Sequence, residues 1–230
     1  MRTRTLALAA ASGAALLATA ALPAARAADA PTRTEEGSVS AAELLSKVTT
    51  CSQISNGKYK TDNETAATVP VCGKNGAVFW KADLDVDCDG QTTTACNHST
   101  DPWFQGDTAF HQSDGRALSA EKLPYVVVPS ASAIWNYSAA GIKGGGVVAV
   151  IYRDRVTYAV VGDTGPSKII GEASYATAKA LGINPDPATG GASSGVTYIL
   201  FKNSRVKPIE SHSAAVALGD RLAKEFLANN

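Results

Sequence analysis

Long apolar runs are scarce in this sequence, and only the stretch from Leu6 to Leu22 comes near the length of a membrane span. A transmembrane helix needs roughly 20 apolar residues, which no later stretch approaches, so a protein with several spans is excluded. Internal repeats are also absent. The three histidines, His98, His111 and His212, are too scattered to suggest a metal site or a catalytic triad, and we interpret them as surface or packing residues.

The single apolar run has the features of a secretory signal rather than of a membrane anchor. Two arginines precede it, and Ala25-Arg26-Ala27 follows with the small residues of a cleavage site. We therefore predict a signal peptide over residues 1–27, a flexible leader over residues 28–37 and one domain over residues 38–230. The mature protein would be secreted and extracellular, without contact to a membrane after processing.

The sequence lacks an excess of positive charge, with 21 Lys and Arg against 21 Asp and Glu. Loss of the predicted signal removes three arginines and no acid, which leaves 18 basic residues against 21 acidic ones. A mildly acidic protein does not have the basic footprint that binding to nucleic acid requires. The charge balance is compatible with a cationic partner.

Only four cysteines are present, and none of them form a C-x-x-C pair. In an oxidising compartment the four thiols predict two disulfides and disfavour a zinc site. Three pairings are possible. The short separations favour Cys51 with Cys72 and Cys88 with Cys96, although the sequence leaves crossed pairings open.

Low charge and many Gly, Thr and Val residues favour a β-rich domain with one core. A capping box over Ser40–Glu43 predicts a short helix that Cys51 ends. Further patterns predict strands over Val69–Trp80, Leu123–Pro129 and Val196–Phe201, a turn or helix over Ala131–Tyr137, a helix over Ala173–Leu181, and a C-terminal helix carrying Leu218, Leu222 and Phe226.

The clearest local unit is a hairpin from Val147–Tyr152 to Val156–Val161. Strand alternation places Tyr158 and Val160 on one face of its second arm and Ala159, Val161 and Asp163 on the other. Asp163 would then lie where the strand runs into a Gly-Pro loop. Glu172 would occupy the first turn of the helix over 173–181, where the helix dipole favours its charged form.

Two composite motifs around these acids resemble a known family. They are Tyr158-Ala159-Val160-Val161-Gly162-Asp163-Thr164-Gly165-Pro166 and Ile170-Gly171-Glu172-Ala173-Ser174. Together with the run from Asp83 to Gly90, they are similar to the signature of glycoside hydrolase family 75, which comprises chitosanases. The resemblance extends from about Cys51 to the C-terminal helix.

The resemblance implies a secreted endo-chitosanase that hydrolyses β-1,4-linked glucosamine polymers with inversion and needs no cofactor or metal. The catalytic pair would be Asp163 and Glu172, with Glu172 as acid and Asp163 as base, and Tyr158 would contact substrate. Without the motif, Asp163 would be interpreted as a turn or capping residue and Glu172 as a helix-start charge. The implied fold is a β-rich (α+β) domain, a compact β-barrel of the double-psi type with peripheral helices.

The run Asp83, Asp85, Asp87 and Asp89 has carboxylates at alternate positions, so an extended chain would carry them on one face. Such a face repels itself unless a cation lies opposite, and protonated glucosamine is a suitable cation. We therefore expect Asp83, Asp85 and Asp87 to bind chitosan. The alternatives are a solvated turn next to Cys88 or a cation site. An EF-hand calcium loop beginning at Asp85 is disfavoured, because its twelfth position holds Cys96 rather than the Glu that binds calcium.

Aromatic side chains can stack on sugar rings. Trp103 lies in a polar loop and is expected at the surface as a substrate contact, whereas Trp80, Trp135, Tyr137 and Tyr175 are more typical of a core. Two other functions stay open: a non-catalytic, expansin-like carbohydrate-binding barrel, and a murein-cleaving enzyme on a related barrel. A monomer is expected.

Overall fold

The structure is a computed structural model that describes residues 36–230. The predicted signal peptide and most of the predicted leader lie outside these residues. The elements, in chain order, are α1 (Ala41–Ser46), β1 (Ser52–Gln53), β2 (Cys72–Lys74), β3 (Ala77–Asp87), β4 (Tyr125–Pro129), β5 (Val147–Tyr152), β6 (Arg155–Gly165), β7 (Glu172–Ser174), α2 (Tyr175–Ala180), β8 (Ala192–Phe201) and α3 (His212–Asn229).

Six of the strands close into a barrel. The sheet order is β1-β2-β3-β7-β4-β6-β5-β8, and a further pairing of β3 with β8 closes the ring. The β3–β7 and β4–β6 pairs are parallel, and the other barrel pairs are antiparallel. The prediction of a compact, β-rich barrel with peripheral helices is therefore confirmed, and its double-psi type stays a prediction.

The barrel wall separates two clusters of buried side chains. One cluster receives residues from all six barrel strands, including Trp80, Val126 and Tyr198, which is the arrangement of a barrel interior. The other lies on the outer face of the wall, where α1 and α3 contribute Leu44 and Phe226. Within residues 36–230, no helix is long and apolar enough to cross a membrane.

Local sequence signals explain most of the element boundaries. The Ser40–Glu43 capping box forms as predicted and starts α1. The predicted strand over 69–80 is instead divided, because Asn75-Gly76 turns the chain between β2 and β3. Residues 131–137 form only turns and bends.

The favoured disulfides are both present, Cys51–Cys72 and Cys88–Cys96. The first ties the segment after α1 to β2, and the second closes a short loop directly after β3. Because β3 ends at Asp87, the second disulfide restrains the chain next to that carboxyl.

The N-terminal end of the described chain is held by Glu36. Its carboxylate accepts hydrogen bonds from Thr157 Oγ1 (2.9 Å) and Tyr158 N–H (2.8 Å), and it pairs with His212 Nε2 at 2.9 Å. Burial raises the pKa of Glu36, but the bonds with His212, Tyr158 and Thr157 outweigh it, so the net pKa is lowered. The hydrogen bond to Glu36 raises the pKa of His212 despite burial.

We predict that the Glu36–His212 pair stabilises the fold most between the ordinary pKa values of the two groups, 4.5 and 6.5. The raised pKa of His212 means that its contribution is fully present below 6.5 and is lost as pH rises through the folded value. The lowered pKa of Glu36 means that its contribution is lost as pH falls below 4.5.

Thermal unfolding of wild type and Glu36→Gln across pH 4 to 9 tests this. The difference in Tm should be largest near pH 5.5 and should shrink toward pH 8. The surface variant Glu225→Gln is the control and should show no such maximum. A Tm difference for Glu36→Gln that does not change with pH would contradict the prediction.

Candidate active site

Three acidic residues lie in one row across four neighbouring strands. Asp85 of β3 pairs with Glu172 of β7, Glu172 pairs with Val127 of β4, and Val127 pairs in turn with Asp163 of β6. Residues in register on neighbouring strands point to the same face of a sheet. Val127 belongs to the cluster on the outer face of the barrel, so the row lies on the outside of the wall.

A β-bulge brings Asp163 to this face. Val126 pairs with Val161 and Val127 with Asp163, so Gly162 is an extra residue in β6. One extra residue reverses the alternation of every side chain that follows it. The predicted placement of Asp163 on the face of Ala159 and Val161 is therefore wrong.

Glycine is required at the bulge because the aromatic ring of the central strand lies against it. A Cβ on Gly162 would be 2.6 Å from Tyr125 Cβ and 2.8 Å from Leu118 Cδ1. Both distances are shorter than real Cβ contacts allow. The Val-Gly-Asp sequence thus permits the bulge that turns the carboxyl outward.

Glu172 lies in a strand and not in the first turn of a helix, which corrects the prediction. It is the first residue of β7, and α2 begins three residues later with Ser174 as its N-cap. Its three-residue strand is held between β3 and β4 on both sides, which overrides the helical composition that follows. The expected helix dipole at this carboxyl therefore does not apply.

The surroundings of Glu172 favour its protonated form. Burial raises its pKa to about 8, with further contributions from the negative charges of Asp85, Asp89, Asp163 and Asp101. Within residues 36–230, no hydrogen-bond donor reaches its carboxyl group. A glutamic acid in this environment can donate a proton at neutral pH.

Asp163 has a different hydrogen-bond environment. Its side chain is 8% exposed, and Oδ1 accepts N–H bonds from Ala109 (2.8 Å) and Thr164 (2.7 Å). Burial raises its pKa, the two backbone bonds oppose that rise, and Asp107 adds to it, so the net pKa is raised. Hydrogen bonds from backbone donors stabilise the ionised carboxylate.

The row borders a cleft of about 470 Å³ with a strongly acidic lining. Among the described residues, no Lys or Arg lines it and six carboxyl groups do: Asp62, Asp85, Asp87, Asp89, Asp101 and Glu172. Burial raises the pKa of Asp85 and of Asp89 to about 6. Burial first, and then the charge of Glu172, raise the pKa of Asp87 well above its ordinary range.

Four of the predicted site residues meet in this cleft: Asp85, Asp87, Trp103 and Glu172. Trp103 is 84% exposed, which confirms its surface position. Asp163 is not part of the lining and lies on β6, separated from Glu172 of β7 by the intervening strand β4. Asp163 is still close enough to raise the pKa of Asp87, Asp89 and Glu172 by charge repulsion.

Two predicted substrate contacts lie elsewhere. Tyr158 is fully buried on the outer face of β6, where α3 passes so closely that a Cβ on Gly219 would clash with the tyrosine ring. Asp83 is also buried, away from the lining, and a Cβ on Gly171 would clash with its carboxyl. Burial and the charge of Asp85 raise the pKa of Asp83 to about 7.

The sequence reasoning missed two lining acids, Asp62 and Asp101. Both lie in irregular segments without a periodic pattern, so no local signal marked them. The EF-hand alternative does not fit the geometry, since Asp85 and Asp87 belong to a strand rather than to a loop between helices. In the part of the chain that is described, no three His, Cys, Asp or Glu residues are arranged to hold a metal ion.

Sequence comparison adds an independent observation. Residues 84–227, more than half of the chain, match the family described as fungal chitosanase of glycosyl hydrolase group 75. The matched segment contains Asp85, Asp163 and Glu172, together with every strand from β4 onward.

Individual relatives are also similar to this chain. Endo-chitosanase C of Aspergillus oryzae is 31% identical over 67% of this chain and 37% of its own length. Endo-chitosanase of Aspergillus fumigatus is 30% identical over 56% of this chain and 59% of its own. Endo-chitosanase B of Aspergillus oryzae is 31% identical over 61% of this chain and 65% of its own length. The chain spans less than two thirds of the length of each of these relatives.

We predict that Gly162→Ala destabilises the fold by about 1–3 kcal/mol, because the added methyl group overpacks the contact with Tyr125 and Leu118. Chemical denaturation measures the free energy of unfolding. Gly106→Ala is the matched control, since nothing lies within 4 Å of its Cβ position. Equal stability of the two variants would show that the bulge does not need glycine.

We further predict that Asp85→Asn lowers the pKa of the Glu172 carboxyl by about half to one unit, because it removes the negative charge in register with Glu172 on the paired strand. Carboxyl-carbon NMR titration measures this pKa directly. Asp154→Asn is the control, in the turn before β6 at the end of the strand remote from Asp163. A Glu172 pKa that Asp85→Asn leaves unchanged would contradict this description of the site.

Proposed function

The chain belongs to glycosyl hydrolase group 75, and from this we propose that it is an endo-chitosanase in which Glu172 is the general acid and Asp163 the general base. The observation that carries the proposal is the pairing of both residues with Val127, which holds two carboxyls of different character on one face beside an acidic cleft. Glycoside hydrolysis requires such a pair of carboxyl groups.

The difference between the two environments supports the division of roles. Burial and four neighbouring carboxylates raise the pKa of Glu172 to about 8, so it retains its proton at neutral and acidic pH. Asp163 accepts two backbone N–H bonds, which stabilise the negative charge that a base must carry. A protonated Glu172 beside an ionised Asp163 would provide the acid and the base that the reaction requires.

The strand spacing is compatible with an inverting reaction. Asp163 and Glu172 lie on either side of Val127, two strand spacings apart, or about 10 Å between Cα atoms. Inverting glycosidases separate their carboxyl groups by roughly 6.5–9.5 Å, so that a water molecule fits between the base and the sugar. Retaining enzymes need only about 5–5.5 Å.

In the proposed reaction, Glu172 protonates the oxygen of the β-1,4 linkage as the bond from that oxygen to the anomeric carbon breaks. Asp163 accepts a proton from water, whose oxygen attacks the anomeric carbon from the opposite face. The product therefore has the inverted anomeric configuration. Transfer of the proton from Asp163 to solvent, and uptake of one by Glu172, restores the starting state.

The cleft supports glucosamine polymers as the substrate. Each glucosamine unit carries an amine that is cationic when protonated. In the described part of the chain, six carboxyl groups and no basic residue line the cleft. An N-acetylated unit has no such charge and would leave these carboxylates without a counter-ion. The exposed ring of Trp103 provides an apolar surface on which a sugar ring can stack.

We also propose that the protein is exported and acts as a monomer outside the cell. Both disulfides are consistent with an oxidising compartment. The predicted signal peptide would provide the export route, and a polymer too large to enter a cell would be met there.

We predict that Glu172→Gln and Asp163→Asn each lower kcat on highly deacetylated chitosan by about 10²–10⁴-fold, because each removes one proton-transfer group. Oligomers released from chitosan, chitin and peptidoglycan should be analysed by mass spectrometry. Glu225→Gln and Asp154→Asn are the matched controls and should retain wild-type activity.

Short glucosamine oligomers from wild type alone would support the proposal. Cleavage of peptidoglycan instead of chitosan would indicate a murein-cleaving enzyme. Binding of chitosan without cleavage by folded wild type would indicate a carbohydrate-binding barrel. Full activity of Glu172→Gln would refute the role given to that residue.

A further inference from the structure

Residues 107–118 form a two-limbed loop beside the site. His111 in the first limb forms a β-bridge with Ala117 in the second, and Gln112 N–H donates to the Arg116 carbonyl at 2.8 Å. The loop therefore has a first limb before this turn and a second limb after it.

The second limb is fixed to the protein core. Leu118 is fully buried in the outer-face cluster, and its carbonyl accepts the N–H of Gln91 at 2.8 Å. The next residue, Ser119, forms a bridge with Gly90. The second limb is thus tied to the chain that follows Asp89 of the cleft.

The first limb carries a donor to the proposed base. Ala109 N–H donates to Asp163 Oδ1 across 54 residues of sequence. The other donor, Thr164 N–H, belongs to the residue next to Asp163 and so adds no tie to a distant part of the chain. Among the hydrogen bonds of residues 36–230, only the bond from Ala109 ties the carboxylate to a separate segment of the fold.

The hydroxyl group of Thr108 joins the two limbs. It accepts the N–H of Leu118 at 3.0 Å and donates to the Phe110 carbonyl at 2.8 Å. Thr108 is only 4% exposed, so water does not readily replace these two bonds. The residue that follows it is Ala109, whose N–H reaches Asp163.

We propose that Thr108 is a positioning residue, whose hydroxyl holds the first limb against the buried second limb and so keeps the Ala109 N–H on the Asp163 carboxylate. This inference rests on the proposed function, in which Asp163 is the base. It concerns a residue that is not itself part of the cleft lining.

The groups around Asp163 determine the sign of the expected effect. The titratable groups on the neighbouring elements are four aspartate and glutamate side chains and one tyrosine: Asp87 at the end of β3, Asp89 after it, Glu172 on β7, Asp107 on the loop, and Tyr125 on β4. Asp107 is itself paired with His111. In this set no lysine or arginine compensates for a lost N–H donor. Loss of the Ala109 bond would therefore favour protonated Asp163 and raise its pKa.

The experiment compares the pH dependence of kcat on chitosan in wild type, Thr108→Val and Thr108→Ser. Valine has the shape of threonine without its hydroxyl, whereas serine keeps the hydroxyl. We expect Thr108→Val to move the acidic side of the kcat–pH profile to higher pH by about half to one unit. This shift corresponds to a fall in kcat of about three- to tenfold on the acidic side of the profile, with little change in KM. Thr108→Ser should have the wild-type pH profile.

Thr157→Val is the matched control. Thr157 is also buried, but its hydroxyl donates a single bond, to the Glu36 carboxylate, remote from the cleft. Both valine substitutions should lower Tm, and only Thr108→Val should shift the acidic side of the kcat–pH profile. Thr108→Ala removes the hydroxyl with a smaller side chain and replaces Thr108→Val if circular dichroism shows that the valine variant does not fold.

The inference would be overturned if the acidic side of the kcat–pH profile of Thr108→Val superimposed on that of wild type. An equal shift in Thr157→Val would also overturn it. Failure of the proposed function is read separately, from wild type and Asp163→Asn. Inactive wild type, or active Asp163→Asn, removes the proposed function and the inference together. Active wild type, inactive Asp163→Asn and an unshifted Thr108→Val remove the inference alone.

Discussion

Strand β4 pairs with β6 on one side and with β7 on the other, and the candidate site depends on this double pairing. Val127 is in register with both Asp163 and Glu172, so backbone hydrogen bonds set the separation of the two carboxyls. A distance defined by strand spacing is more rigid than one defined by loops. The closed ring of six strands leaves β4 no freedom to slide relative to its neighbours.

This arrangement has an electrostatic cost. Asp85, Glu172 and Asp163 face the same side, with Asp87 and Asp89 nearby. After burial, the charges of Asp85, Asp89 and Asp163 raise the pKa of Glu172, and the charge of Glu172 raises that of Asp87. Buried like charges avoid repulsion by retaining protons. The fold thus keeps at least one carboxyl of the cluster protonated near neutral pH, and a cationic substrate would relieve the remaining repulsion.

Strands and irregular segments contribute differently to the site. The strands supply the row of carboxyls at fixed spacing, while irregular segments bring Asp62, Asp101 and Trp103 to the cleft. The Cys88–Cys96 disulfide restrains the chain where β3 ends and the irregular segment that contains Asp101 and Trp103 begins. The loop over residues 107–118 has a similar role for Asp163, since it reaches the carboxylate from a distant part of the chain.

The sequence alone determined the β-rich class, the capping box and the residues of the family motifs, and it favoured the disulfide pairing that the structure has, because each depends on neighbouring residues or short spacings. Only the tertiary structure decided which face those residues occupy. Gly162 forms a bulge because Tyr125 of another strand lies against it, and Glu172 is in a strand because β3 and β4 hold it on both sides. Tyr158 is buried because α3 covers it, and Asp62 and Asp101 reach the cleft through irregular segments. Contacts between residues distant in sequence carry no local pattern, so no periodicity could reveal them.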